Sequence, residues 1–163
     1  MAKKLVAKTK KIEALNGSGK SSMRTDIDDL RNMGMDSIPL EGPYSGLAVS
    51  VPGCVDAWDQ LLKKFGVFSL DTVLVPAIDY SQNGFGVSEI TANNWKLAEK
   101  KLSINERCEF LPNDRAPDFG EKVVLPDLNR TLKGISENGR SYIYEGVIPE
   151  KISEYVQKFN GWL

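Results

Sequence analysis

From Val55 onward, apolar residues recur at helical spacing, and glycine or proline punctuates almost every run. That pattern confines most of the chain to short amphipathic helices. Val55, Trp58, Leu61, Leu62 and Phe65 predict a helix over 55–65, closed by Gly66. Ser69 is expected to cap the next, with Leu70, Val73, Leu74, Ala77 and Ile78 as its buried stripe and Gly84 as its end. Pro76 predicts a kink there, or a tight packing contact. Ser88 caps a third helix with Ile90, Trp95 and Ala98 inward. Prolines and glycines across 110–126 read as an extended connector. Asp127 is expected to cap a helix with Leu128, Leu132 and Ile135 inward, ended by Asn138-Gly139. Pro149 opens the last helix, whose apolar face is Ile152, Tyr155, Val156 and Phe159.

The first fifty residues read differently. Loose alternation over 5–15 predicts a strand, broken by Asn16, Gly17, Ser18 and Gly19. Thr25 looks like an N-cap, with Asp28 at the capping-box position, Ile27, Leu30 and Met33 on one face, and Gly34 as the stop. Residues 39–44 form a turn, and 47–51 alternate as a short strand before Pro52-Gly53. The expected class is α+β, mostly helical with one or two short strands. Lys3, Lys4, Lys8, Lys10 and Lys11 crowd the start and read as the solvated face of a strand rather than a basic arm.

Composition narrows the function. The 163 residues suffice for one domain with a core, and 41% apolar with 26% charged residues is ordinary for a soluble globular chain. A net charge of −1 gives no nucleic-acid footprint. No apolar run approaches a membrane span, and residues 1–11 hold no apolar h-region, so no secretory signal is expected there. Cys54 and Cys108 lack metal-site spacing, so a reduced, cytoplasmic chain without metal or other cofactor is expected. There is no histidine, which removes Ser-His-Asp, Cys-His and histidine-ligated metal mechanisms from this chain.

Residues 14–21 read A-L-N-G-S-G-K-S, a relaxed phosphate-loop pattern in which Lys20 would reach phosphates and Ser21 would hold magnesium. Ala14 stands where the strict form has glycine, and the next helix is expected to start at Thr25 rather than at the lysine. Nucleotide binding is therefore the weakest of the functional readings.

A longer series of matches runs from about Ala7 to Leu163. It includes Leu15-Asn16-Gly17-Ser18-Gly19 and Ile38-Pro39-Leu40, then Pro76-Ala77-Ile78, Asn83-Gly84-Phe85, Phe110-Leu111-Pro112, Pro126-Asp127-Leu128, Glu137-Asn138-Gly139 and Tyr144-Glu145-Gly146. Val49-Ser50-Val51-Pro52-Gly53-Cys54-Val55-Asp56-Ala57-Trp58 is similar to the distinctive "TVPGAVDGW" segment. In this order the matches resemble the gamma-glutamyltranspeptidase family.

The resemblance implies an N-terminal-nucleophile hydrolase with a layered αββα sandwich, of which residues 1–163 form a single partial domain from the middle of the large subunit. In that family a precursor cuts itself. The new N-terminal threonine of the small subunit attacks a gamma-glutamyl amide, with its own amino group as base. No residue here matches that nucleophile, so no catalytic residue is expected in this chain. The turn after the early strand implies substrate-binding roles for Asn16, Ser18 and Gly19. Glutamate-specific members place an arginine at the position of Ser18, where it grips the substrate α-carboxylate. Asn16-Gly17-Ser18-Gly19 is closer to the acylase-like branch, N-G-S-G-R-A-P, but continues with Lys20-Ser21-Ser22. The expected partner is a complementary chain carrying the catalytic small subunit, or a second copy, because apolar faces around Leu5, Val49, Leu74 and Ile78 would otherwise lack cover. The competing reading is a non-catalytic interaction module.

Overall fold

The computed structural model describes residues 2–6, 10–104 and 108–163. They form β1 (Ala2–Val6), β2 (Lys11–Leu15), α1 (Ile27–Asn32), α2 (Cys54–Phe65), α3 (Leu70–Asn83), β3 (Phe85–Gly86), α4 (Glu89–Leu102), β4 (Lys122–Val123), α5 (Pro126–Asn138), α6 (Ser141–Tyr144) and α7 (Val147–Gln157). The fold is mostly helical, with four short strands among the described residues, paired two by two. Two compact units result: Met1–Val67 with Arg140–Leu163, and Phe68–Gly139.

In the first unit, the single strand expected over 5–15 is instead an antiparallel hairpin, registered from Ala2↔Leu15 to Val6↔Lys11. Lys10, immediately before β2, takes the left-handed conformation at φ 55°. Residues 7–9 of that expected strand lie outside the described residues. The cap of α1 is Asp26, not Thr25: its carboxylate accepts from the Asp28 amide at 2.8 Å. Gly34 ends the turn at φ 73°, with its amide on Arg31 and the Met35 amide on Leu30. Helix α1 buries nothing; Ile27 and Met33, expected inward, are exposed.

Residues 47–51 are not a strand. Ser45–Ala48 is a 3₁₀ turn, because the Gly46 backbone presses against the chain leaving α7. A Cβ on Gly46 would stand 2.6 Å from Val156 O and 2.7 Å from Gly161 N and Phe159 O. The Gly46 amide donates to Phe159 O at 3.1 Å, and the Asn160 side chain donates to Pro43 O at 2.8 Å. Helix α2 matches its expected span within one residue, although Trp58 is exposed. Tyr155 on α7 is exposed as well, whereas Val156 is buried.

The second unit is organised by α3 against α5. Leu74, expected to lack cover, is buried because α5 packs on α3. That cover is narrow, so Val73 and Ala77 of the expected stripe stay exposed, while Leu70 and Ile78 are half-buried. Val49, in the first unit, is 40% exposed, and the Leu5 side chain lies outside the described residues.

The expected connector over 110–126 is a core element. It supplies Leu111, Ala116, Pro117, Val123 and Leu125. Its backbone is claimed by β3 through Phe85↔Val123, and by Val87, whose amide donates to Glu121 O and whose carbonyl accepts from Gly120, each at 2.9 Å. Val87, Ala92, Val123 and Leu125 form the centre of the core, with Phe85, Trp95 and Leu128 against it. Helix α4 turns Ala92 inward and leaves Ile90 exposed, the reverse of the expectation for Ile90.

Asp127 does not cap α5. Pro126 occupies the first turn, and the Glu109 carboxylate accepts from the Asp127 and Leu128 amides at 2.7 and 2.8 Å. A carboxylate there satisfies two otherwise free amides and opposes the positive helix end. Glu109→Ala is expected to destabilise the chain by about 1 kcal/mol, measured as a shift of the urea midpoint with unchanged slope.

Candidate functional site

The 16–19 loop leaves β2 and is fixed from two directions. Asn16 Oδ1 accepts from the Ser18 amide at 3.1 Å and from Ser18 Oγ at 2.6 Å, so one side chain of the turn organises the next. Ser18 O accepts from Ser50 Oγ at 3.4 Å. Below the loop lies the start of α2. A Cβ on Gly17 would meet Ala57 Cβ at 2.5 Å. One on Gly53 would meet Gly19 N at 2.6 Å and Gly17 O at 2.7 Å. Gly19 has φ 90°, and a Cβ there would sit 1.8 Å from Val51 O. The next residue completes the seam, with Lys20 O accepting from the Val51 amide at 2.9 Å.

The structure thus brings Asn16, Ser18 and Gly19 together on one exposed turn. Ser18 Oγ is committed to Asn16 rather than free. Lys20 and Ser21 open no helix; the first begins only at Ile27, which is not the geometry that cradles phosphates.

A clamp behind this turn was not assigned a role from the sequence, although Asp56 and Tyr144 stand in the matched segments. Tyr144 Oη donates to Pro52 O at 2.6 Å and accepts from the Asp56 amide at 3.1 Å. The Asp56 carboxylate accepts from Arg140 Nε and, at 2.5 Å, from Gln60 Nε2. The Arg140 guanidinium stacks 4.8 Å over the Tyr144 ring. Tyr144 therefore holds the Pro52–Asp56 corner on which Gly17 and Gly19 rest. The Arg140 hydrogen bond is the main reason that the Asp56 carboxyl lies below its ordinary range; partial burial opposes it, and Gln60 and the Arg140 and Lys20 charges assist.

A depressed acid stabilises the fold above its unfolded pKa and loses that contribution as pH falls through the folded value. Stability is therefore expected to decline as pH drops below the usual carboxylate range. Asp56→Asn should flatten that decline without moving the neutral-pH far-UV spectrum. An unchanged acid slope in the variant would separate the Asp56–Arg140 pair from acid stability.

Among the described residues no cluster of three or more histidine, cysteine or carboxylate side chains forms a metal-binding group, and no helix is long and apolar enough to cross a membrane.

The gamma-glutamyltranspeptidase family model matches residues 4–163. Over 160 residues the chain is 38% identical to the glutathione hydrolase-like YwrD proenzyme of Bacillus subtilis, covering 95% of this chain and 29% of that protein. A cephalosporin acylase from Bacillus halodurans superposes with TM-score 0.81 at 30% identity, over 94% of this chain and 30% of the acylase chain. The Helicobacter pylori gamma-glutamyltranspeptidase, 23% identical, gives TM-score 0.81 over 99% of this chain and 50% of that one, which bears on the fold alone. The chain thus spans about 29% of the length of the curated relative it matches over 160 residues.

Proposed function

The chain belongs to the gamma-glutamyltranspeptidase family, and from that premise we propose that it is the substrate-side segment of an enzyme that hydrolyses or transfers gamma-glutamyl or related acyl amides. The bond-breaking group is the N-terminal threonine of a complementary chain or segment outside these 163 residues. This segment contributes the 16–19 turn. The observation that carries the reading is the seating of that turn: Gly17 lies against Ala57 of α2 and Gly19 against the backbone of Val51 and Gly53, which holds Asn16 and Ser18 in one place. Such fixed placement is what a substrate-positioning loop requires.

Ser18 sets the specificity in this reading. A hydroxyl has one hydrogen bond to donate, and that of Ser18 already goes to Asn16 Oδ1, whereas a guanidinium offers a two-pronged ionic grip on a carboxylate. The enzyme therefore discriminates weakly between gamma-glutamyl amides and 4-aminobutyryl amides, which keep the amino group and lack the α-carboxylate.

The test transplants residues 4–163 into the matching segment of the Bacillus subtilis relative. The chimera should mature and turn over both anilide substrates. Ser18→Arg should then raise the glutamyl-to-4-aminobutyryl ratio of kcat/KM by about tenfold. The isolated chain should turn over neither. Turnover by the repurified chain alone, or a chimera that matures yet ignores Ser18→Arg, would overturn the assignment.

A further inference from the structure

Beyond Gly19 the same stretch of chain borders a cavity of about 540 Å³, which no role described so far uses. Its size is that of small-molecule sites. Val51, Pro52, Ile143, Ile152 and Trp162 supply apolar walls, all from the first unit. The polar groups of the lining are largely spent elsewhere. Ser22 Oγ donates to Trp162 O, Ser153 Oγ donates to Leu163 O at 2.6 Å, and Tyr144 Oη donates to Pro52 O at 2.6 Å. Gln157 Nε2 also donates to Leu163 O, at 3.0 Å. A wall whose donors are already satisfied favours apolar occupants over water.

Charge supplies the second half of the recognition. Lys20 and Arg24 are the charged side chains of the lining, and no acidic side chain joins them. Neither forms a salt bridge among the described residues. Arg24 is exposed, and among the described residues its only hydrogen bond is the one its amide donates to Ser22 Oγ. Lys20 feels Asp56 across space but does not pair with it. Two uncommitted cations on an otherwise apolar cavity match an amphipathic anion: an apolar body for the walls and a terminal carboxylate for the cations.

We propose that this cavity binds a carboxylate with a medium-length alkyl chain, with the alkyl chain against Ile143, Ile152 and Trp162 and the carboxylate at Lys20 and Arg24. The inference goes beyond the amide-cleaving role and stands without it, because binding needs only groups of this chain.

The probe is decanoate, titrated calorimetrically into the 163-residue chain carrying a C-terminal amide, so that Leu163 adds no carboxylate to the lining, with decanol and decylammonium as matched controls. Decanoate should bind saturably with one site per chain, and decanol about tenfold more weakly. The double variant Lys20→Gln/Arg24→Gln should erase the preference for decanoate over decanol while leaving the melting curve in place, since both side chains are exposed. Ile152→Trp should fill the cavity and weaken both ligands; if it misfolds, the charge variants still decide. Equal binding of decanoate and decanol, or no saturable binding to folded chain, would overturn the proposal. So would a dimer that Ile152→Trp dissociates and decanoate leaves intact, because the cavity would then be covered by a second copy.

Discussion

Gly19→Ala is expected to destabilise the chain by about 3 kcal/mol or more, enough to remove much of the stability of an ordinary domain. Two effects add at this position. The backbone φ of 90° lies where side-chain-bearing residues are strained. In addition, the new Cβ would sit 1.8 Å from Val51 O, a backbone atom that cannot rotate away. Relief requires the loop to lift from α2, which breaks the Lys20–Val51 hydrogen bond and releases the turn carrying Asn16 and Ser18. Gly34→Ala is the control. Its φ is 73°, but nothing lies within 4 Å of the added carbon. It should cost only the conformational penalty, about 1–2 kcal/mol. Urea unfolding of both variants separates clash from strain. Equal losses would mean that the loop is not seated on the Val51–Gly53 segment.

Asn129→Asp is expected to cost about 3 kcal/mol at neutral pH, although it changes the side-chain shape hardly at all. Asn129 is buried on α5, and its Nδ2 donates to Ile78 O at 2.9 Å and to Ser81 Oγ at 3.0 Å. Ser81 is itself buried; its hydroxyl donates to Ile78 O, and its carbonyl accepts from the Leu125 amide, each at 3.0 Å. This small network ties α3 to the start of α5. An ionised carboxylate in place of the amide would face the Ile78 carbonyl with no proton to share. Burial and that opposed carbonyl raise the pKa of the introduced acid in the folded state. The loss relative to wild type is therefore largest at neutral pH and shrinks as pH falls through the raised folded value, where the protonated acid regains a donor. Asn129→Ala, which removes the hydrogen bonds without adding charge, should cost about 2 kcal/mol with no such recovery. An Asn129→Asp variant within a few tenths of a kcal/mol of wild type at neutral pH would show that the amide is not the tie between these helices.

Local chemistry made much of the helical content legible. Helix α2 follows from Val55, Leu61, Leu62 and Phe65 at helical spacing, and the ends of α3 and α5 from Gly84 and Gly139, which take φ of 83° and 67°. Ser88 caps α4 as expected, accepting from the Thr91 amide at 3.3 Å. The residue order around 16–19 and 49–58 identified the family and marked the turn. These features depend on neighbours a few residues away, so the sequence contains their causes.

Tertiary contacts decided the rest. Residues 110–126 look like a connector because their apolar residues lack a period, yet Val123 and Leu125 are central to the core, since Phe85 and Val87 take up the backbone groups beside them. The cap of α5 comes from Glu109, seventeen residues before Pro126 and invisible to a local motif. Gly46 is forced into a 3₁₀ turn by backbone from the far end of the chain. The candidate site shows the same division. Asn16, Ser18 and Gly19 could be picked out by their order, but what fixes them is Gly53 beneath the turn and Tyr144, whose hydroxyl reaches Pro52 across more than ninety residues. Spacing along the chain reports which residues share a helix face; which distant backbone atom receives a hydroxyl or excludes a Cβ is settled only when the segments pack.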